Sequence, residues 1–420
     1  MKEMESIRGW ILKKREHRDI VFMDLRSGNG ITQCVVKREY VNDEDWNKVI
    51  NLTQESSVIL FGDWKLEERA PRGREFIVKK IEIVHLAESP YPLGKKEHSP
   101  EVLMEKRHLA VRGPRYQAIF KVRSEIINAS REFFIQNGYI EVSPPIIVTT
   151  ACEGGATLFK LDYFDMPAYL TQSSQLYLEI MIFTYEKVWC LAPSFRSEKS
   201  RTRRHLAEFW HLEAEAAWMN LDELMKLEEE LVSYICHSVA NRCNYELKFL
   251  NRDPNDLMQI EPPFKRISYE EAIEYLKKMH VKIEIGDEIG GDEEYILTKD
   301  IKKPIFLVGY PLKYKPFYVK EMKNKPGMGS TVDLLAPEGY GEIATGGERE
   351  DDINKLIERI KAEGFDPANY DWYLDLRRYG SVAHAGFGMG IDRLTWWICG
   401  LDHIRDATPF PRMFRTGKII

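Results

Sequence analysis

Two stretches near the middle of the chain alternate between apolar and ionisable residues with a period of two, and this pattern constrains the fold more than any other. From Val188 to Glu198, Trp189, Leu191, Pro193 and Phe195 fall on one side, while Ser194, Arg196 and Glu198 fall on the other. From Leu206 to Trp218, Trp210, Leu212, Ala214, Ala216 and Trp218 point one way and Phe209, His211, Glu213 and Glu215 the other. Successive side chains of an extended strand point to opposite faces, so the pattern predicts two core strands that share a face of ionisable groups. Between them Lys199-Ser200-Arg201-Thr202-Arg203 is too long and too basic for a two-residue hairpin turn and suits a polyanion. A phosphate-handling strand, loop, strand unit fits these residues. A salt-bridged surface sheet is the alternative, since opposite charges also pair across strands.

At 420 residues the chain exceeds the usual single-domain size, so two domains are expected. It has no apolar run approaching the ~18 to 20 residues that a membrane span needs, and Met1 to Glu5 lack the apolar core of a signal peptide. The expected location is the cytoplasm, without membrane contact. Cys34, Cys152, Cys190, Cys236, Cys243 and Cys399 are dispersed, with no metal-ligand spacing, and read as buried thiols. A net charge of −6 argues against a protein that coats nucleic acid but leaves room for local basic patches.

Residues 6–86 read as all-β. Ile7 to Leu12, Ile20 to Leu25, Ile31 to Val36, Val58 to Trp64 and Glu75 to His85 are five short β-branched and aromatic runs, with a helical pattern around Trp46 and Ile50 after the third. That order fits an OB-type barrel, with SH3-like and other small barrels as alternatives. The Pro-, Gly- and charge-rich stretch Glu88 to Pro100 marks a linker. Domain limits of 1–90, 91–105 for the linker and 106–420 follow. In the last of these, Ile119, Val122, Ile126 and Phe133 keep helical spacing up to Gly138, and Tyr139 to Val142 reads as a strand running into Pro144-Pro145. Asn220 with Glu223, and Ser268 with Glu271, are capping boxes. Apolar strands at Ile305 to Val308, Thr331 to Leu335, Gly341 to Ala344 and Gly386 to Gly390 complete a largely antiparallel α+β domain.

Three segments, in order, resemble the three signature motifs of the class II (subclass b) aminoacyl-tRNA synthetases: Gly138 to Pro145, Phe195 to Phe209, and Gly386 to Arg393. The loop Glu153 to Phe159 and the run Gln172-Ser173-Ser174-Gln175-Leu176-Tyr177 narrow the resemblance to the asparaginyl and aspartyl branch of archaeal or eukaryotic type. The fold implied is an amino-terminal OB-type anticodon-binding barrel followed by an antiparallel catalytic sheet flanked by helices. The first motif implies a homodimer interface, although Gly138 to Pro145 taken alone is also an ordinary helix stop and strand end. The activity implied is two-step ligation: an amino acid and ATP give an aminoacyl-adenylate and pyrophosphate, and the 3′-terminal ribose of tRNA takes the aminoacyl group. A non-charging relative that keeps the fold is the reading from another class.

Such chemistry needs charge neutralisation and in-line placement more than a protein nucleophile. The resemblance assigns Arg196 to bridge carboxylate and α-phosphate, Glu198 to the adenine amino group, Arg204 to the phosphates, His205 and Leu206 to the loop over the nucleotide, and Phe209 to stacking on adenine. Arg393 covers the other adenine face and reaches the γ-phosphate, with Gly390 and Asp392 beside it; Arg196 and Arg393 are the catalytic pair. Glu342 and Thr345 take the positions that hold Mg²⁺ with ATP; read alone, Glu342 is also an ordinary strand-edge carboxylate. Asp333 and Glu338 lie nearby and are given no role.

For the amino acid, the resemblance places Glu153 and Gln175 at the α-amino end, Arg349 on the side-chain oxygen, and Glu213 where it accepts from an amide nitrogen or the α-amino group. Aspartyl enzymes carry a Lys three residues after the Gln corresponding to Gln175; here that residue is Leu178. L-asparagine and tRNA(Asn) are therefore the expected substrates and aspartate the alternative. An aspartate carboxylate against Glu213 without a cation would be a buried unpaired charge. In the amino-terminal domain, Arg8, Phe22 and Gln33 are matched to positions facing the anticodon, and Lys13 to Arg18 adds a basic segment able to track phosphates. Taken singly, Phe22 also fits a core position and the basic segment a solvated turn.

Overall fold

The structure is a computed structural model that describes residues 4–70, 73–94, 97–153, 157–199 and 202–414. Of the segments singled out above, Lys95-Lys96, Gly154 to Ala156 and Ser200-Arg201 lie outside the described residues. The chain divides into two compact units, Met1–Gln117 and Ala118–Ile420.

In the first unit, β1 (Glu5–His17), β2 (Ile20–Ser27), β3 (Gly30–Lys37), β4 (Ser57–Leu66) and β5 (Arg74–His85) close into a barrel of order β1-β2-β3-β5-β4, and α1 (Asp43–Asn51) lies between β3 and β4 in the chain. This is the OB arrangement rather than another small barrel. Alternation builds it: Val21, Met23 and Leu25 are buried within, while Phe22 and Asp24 between them point outward. Asn42 caps α1 by accepting from the Asp45 amide at 2.7 Å. At the other end of α1, the Lys14 ammonium donates to the carbonyls of Val49, at 3.1 Å, and Ile50. Lys14, expected in a phosphate-tracking segment, is thus committed to closing a helix. Within this unit, Arg26 of β2 and Glu55 form a buried two-pronged ion pair at 2.6 and 2.8 Å, which Arg112 joins at 3.1 Å.

The second unit is built on an eight-stranded sheet. Its strands are β6 (Ile140–Glu141), β10 (Lys187–Phe195), β11 (Glu208–Ala217), β12 (Lys265–Ser268), β13 (Ile305–Pro311), β14 (Met328–Ala336), β15 (Gly341–Glu348) and β16 (His384–Gly390), in the order β12-β13-β14-β15-β16-β11-β10-β6. The six inner strands are antiparallel; only the edge pairs β12·β13 and β10·β6 are parallel. A separate small sheet holds β7 (Ile147–Val148), β8 (Lys160–Tyr163) and β9 (Met166–Leu170).

The helices follow from apolar stripes and caps. The helix α2 (Pro114–Gln136) buries Ile119, Val122, Ile126 and Phe133, and Gly138 beyond it takes φ +75°. Next come α3 (Gln175–Tyr185) and α4 (Leu221–Arg242), the latter with the Asn220–Glu223 capping box. They are followed by α5 (Tyr269–Lys278), with its Ser268–Glu271 box, and α6 (Gly291–Thr298). The last three are α7 (Ile353–Ala362), α8 (Asp371–Arg378) and α9 (Ile391–Ile398). The helix α4 packs against β14, β15 and β16, and α3 against β10 and β11. Among the described residues no helix is long and apolar enough to cross a membrane.

Candidate active site

The registry of β10 and β11 turns the expected polar sides of both strands to one face, although β10 ends at Phe195 and leaves Arg196 and Glu198 in the connection beyond it. Ser194 lies opposite Phe209, Ala192 opposite His211, Cys190 opposite Glu213 and Val188 opposite Glu215, and directly opposed residues of an antiparallel pair point the same way. Trp218, expected on the apolar side, falls past the strand at φ +63° and is exposed. On its other edge β11 pairs with β16, which sets Gly390, Gly388 and Gly386 opposite His211, Glu213 and Glu215. The glycine repeat makes room for these side chains: a Cβ at Gly388 would lie 2.4 Å from His211 Nε2, and one at Gly386 1.9 Å from Glu215 Oε2.

All ten residues assigned to ATP line one cleft over this face: Arg196, Glu198, Arg204, His205, Leu206, Phe209, Glu342, Gly390, Asp392 and Arg393. The Arg196 guanidinium sits 5.5 Å over the Phe209 ring and pairs with Glu153 at 2.6 Å. Its buried Nε has no hydrogen-bond partner among the described residues. Arg393, at the start of α9, donates to the Glu342 carboxylate at 2.5 Å and its carbonyl at 3.0 Å. Burial would raise the Glu342 carboxyl, but Arg393, Arg204, Lys315 and Arg196 together hold it down at about 2. His205 is lowered to about 4, first by burial and then by Arg393 and Arg204, so the loop over the cleft presents a neutral imidazole at pH 7. Asp392 borders the cleft but is buried, and its two oxygens accept from Arg123 at 3.0 Å and the Trp210 amide at 2.9 Å. It ties α9 to α2 and β11.

A bulge brings Glu342 and Thr345 together. Ala344 lies opposite Leu334 but Glu342 opposite Leu335, so Ile343 is an extra residue on β15. Strict alternation would send residues three apart to opposite faces; the bulge returns both to the cleft side. Thr345 lies opposite Asp333 and hydrogen-bonds to it, and Lys315 grips both Asp333 oxygens at 3.1 and 3.2 Å. No group of three or more His, Cys, Asp or Glu side chains is arranged to hold a metal among the described residues.

Next to the cleft lies a buried polar tier. His211, which sequence reasoning did not nominate, borders the cleft, with Nδ1 3.1 Å from Ser194 Oγ; burial and then Arg196 lower it to about 3. Glu213 accepts from the Ser173 hydroxyl and, at 2.8 Å, from the Ser174 amide, and burial raises its carboxyl against those hydrogen bonds. Arg349 is bound in a two-pronged pair by Glu215, both bonds at 2.9 Å, and stacks 5.4 Å over Tyr318, whose hydroxyl faces Glu153. Gln175 donates to Glu179 at 3.0 Å, and the other Glu179 oxygen collects Tyr373, Arg377 and His384. Leu178 is fully buried against Ile182, Val188 and Cys190, an apolar side chain at the position where a lysine would bring a charge. Glu179, Arg377 and Tyr318 went unnamed, and Glu215 was placed on the strand face without a role, because no motif or spacing signalled their contacts.

In the barrel, Phe22 and Gln33 lie on the same outer surface, opposite Val35 and Asp24 respectively, with Gln33 donating to Glu75 at 3.1 Å. Arg8 does not join them. Arg15 lies opposite Phe22 with its guanidinium 6.0 Å over the ring, and Arg8 is seven residues back along β1, on the order of 20 Å at strand spacing. There it lines a second cleft with Trp10, Trp64 and Arg74.

Comparison with known proteins agrees with this layout. Residues 99–414 match the model of the class II tRNA synthetases (D, K and N), and residues 5–84 that of the OB-fold nucleic acid binding domain. The asparagine–tRNA ligase of Pyrococcus abyssi is 51% identical over 97% of this chain and 94% of its own length. The crystal structure of asparaginyl-tRNA synthetase from Pyrococcus horikoshii complexed with asparaginyl-adenylate superposes with a TM-score of 0.93 at 51% identity, covering 98% of this chain and 95% of that one. An aspartyl-tRNA synthetase from Entamoeba histolytica is more distant, at 27% identity and a TM-score of 0.82 over 98% and 89%. The chain belongs to the class II tRNA synthetases (D, K and N), ligases that here carry an OB-fold domain ahead of the catalytic sheet.

Proposed function

We propose that the chain is an asparagine–tRNA ligase, which activates L-asparagine with ATP to asparaginyl-adenylate and transfers the asparaginyl group to the 3′-terminal ribose of tRNA(Asn). The observation that carries the choice of amino acid is the charge of the buried tier. Arg349 is neutralised by Glu215, Glu213 is hydrogen-bonded among the described residues by a hydroxyl and an amide with a neutral His211 3.5 Å away, and Leu178 is apolar. A neutral carboxamide can both donate and accept there, whereas an aspartate carboxylate would be desolvated beside Glu213.

In the first step the asparagine carboxylate attacks the α-phosphorus and pyrophosphate leaves. Arg196, with its buried unpartnered N–H over Phe209, binds both reacting partners; Arg204 and Arg393 hold the phosphates, with Glu198, His205, Leu206 and Phe209 around the base. Glu153 and Gln175 orient the α-amino end. Glu342 and Thr345, with Asp333 adjacent, fit Mg²⁺ that arrives with ATP, because that ion needs only one or two protein oxygens beside the phosphates. When bound, the ion neutralises phosphate charge.

Residues 1–90 read the anticodon, with Phe22 stacking and Gln33 at a base edge, residues 91–105 connect, and 106–420 catalyse. A homodimer is supported by the short edge strand β6 and the exposed apolar residues Ile135, Ile140, Ile146, Ile147, Phe183 and Tyr185. The enzyme works in the cytoplasm, where its tRNA is. The test is ATP–pyrophosphate exchange with asparagine and aspartate in parallel, then charging of tRNA(Asn). Asparagine should be preferred by a factor on the order of hundreds; equal or better exchange with aspartate overturns the assignment.

A further inference from the structure

We infer that Glu294 is a positioning residue for ATP: it sets Arg204 in a phosphate-facing posture and fixes it to the strand that carries Glu342 and Thr345. Glu294 belongs to α6, outside the three signature segments, and is buried. One carboxylate oxygen, Oε2, accepts from Arg204 Nη1 and, at 2.8 Å, from the backbone N–H of Glu342. A single atom thus joins the loop between β10 and β11 to the first turn of β15.

The surroundings are shaped for this pair. A Cβ at Gly341, where φ is +70°, would lie 2.6 Å from Glu294 Oε2 and 3.5 Å from Arg204 Nη1, and one at Gly291 would lie 3.0 Å from Arg204 Cζ. Two glycines from two elements clear the space in which the guanidinium meets the carboxylate. Nη1 is the one guanidinium nitrogen with a hydrogen-bond partner among the described residues, which leaves the other N–H groups for an anion. An unanchored arginine on a connecting loop loses rotamer freedom when it binds phosphate. A carboxylate that holds it beforehand removes that cost from the binding step and directs the fork. Because Glu342 donates to the same oxygen, the posture of Arg204 is registered against the strand proposed to carry the metal.

This rests on the reading of Arg204 as an ATP ligand, and the experiment is a double-mutant cycle in pyrophosphate exchange. Glu294→Ala should raise KM for ATP about tenfold, the cost of one charge-assisted hydrogen bond, while KM for asparagine stays within about twofold. In an Arg204→Ala background the same change should add less than about twofold, since the residue acts through Arg204. Glu294→Gln, which keeps an acceptor oxygen for both donors, should fall between parent and Ala. Should the Ala variant melt below assay temperature, Gln takes its place in the cycle. Parallel rises in both KM values, or the same factor with and without Arg204, overturn the inference and mark Glu294 as structural. Failure of the proposed function appears separately, as a parent enzyme that exchanges with aspartate or not at all. With aspartate the cycle is run unchanged, because ATP is common to both.

Discussion

Glu228 is the residue at which local chemistry and packing conflict most. It lies on α4 behind the sheet, fully buried, with neither carboxylate oxygen hydrogen-bonded among the described residues, and Gly346 leaves its Oε1 the space a Cβ would take. Burial, with Asp333 adding to it, pushes its carboxyl well above the usual range. The folded protein therefore holds a proton that the unfolded chain releases above its ordinary carboxylate pKa. The stability this gives is complete below that value and declines as pH rises toward the folded pKa, by about 1.4 kcal/mol per unit. Relative to Glu228→Gln, the parent should lose stability between pH 5 and 8, as seen in urea midpoints; parallel profiles would contradict a neutral Glu228. At this scale the sequence was informative wherever a strand face or motif position was at stake, as with Arg196, Phe209 and Glu342. It did not show how Asp392 and Leu178 are buried, since their neighbours come from α2, α3, β10 and β11.

Elements were the most legible level, because apolar periods of two and 3.6 are written locally. The barrel strands, the capped helices at Asn220 and Ser268, and the strands facing the cleft all follow from such patterns. The Ile343 bulge does not, since an alternating pattern places Glu342 and Thr345 on opposite faces and only pairing with β14 inserts the extra residue. The edge strand β6 carries a testable consequence. Ile140 is 45% exposed on a two-residue strand at the sheet edge. Ile140→Lys should convert the proposed dimer to a monomer at micromolar concentration in analytical ultracentrifugation, since a charge on an edge blocks strand-to-strand association. An unchanged dimer would move the interface elsewhere.

For the whole molecule, two compact units imply separable tasks. A chain lacking residues 1–95 should retain asparagine-dependent pyrophosphate exchange but charge tRNA(Asn) on the order of a hundredfold less efficiently, given roughly 1 to 3 kcal/mol per stacked base. Equal loss of both activities would remove the barrel from anticodon reading. The sequence by itself determined the strand faces, the barrel's five strands and helix in chain order, the capped helices and the set of residues that line the cleft, since each depends on short-range periodicity or a fixed motif. Only the tertiary structure decided that Arg15 and not Arg8 meets Phe22, that Asp392 and Leu178 face inward, and that Glu294 holds Arg204. One Glu179 oxygen meets Arg377 and His384, some two hundred residues away. A buried charge must find a partner wherever the fold brings one near, and no local pattern encodes that distance.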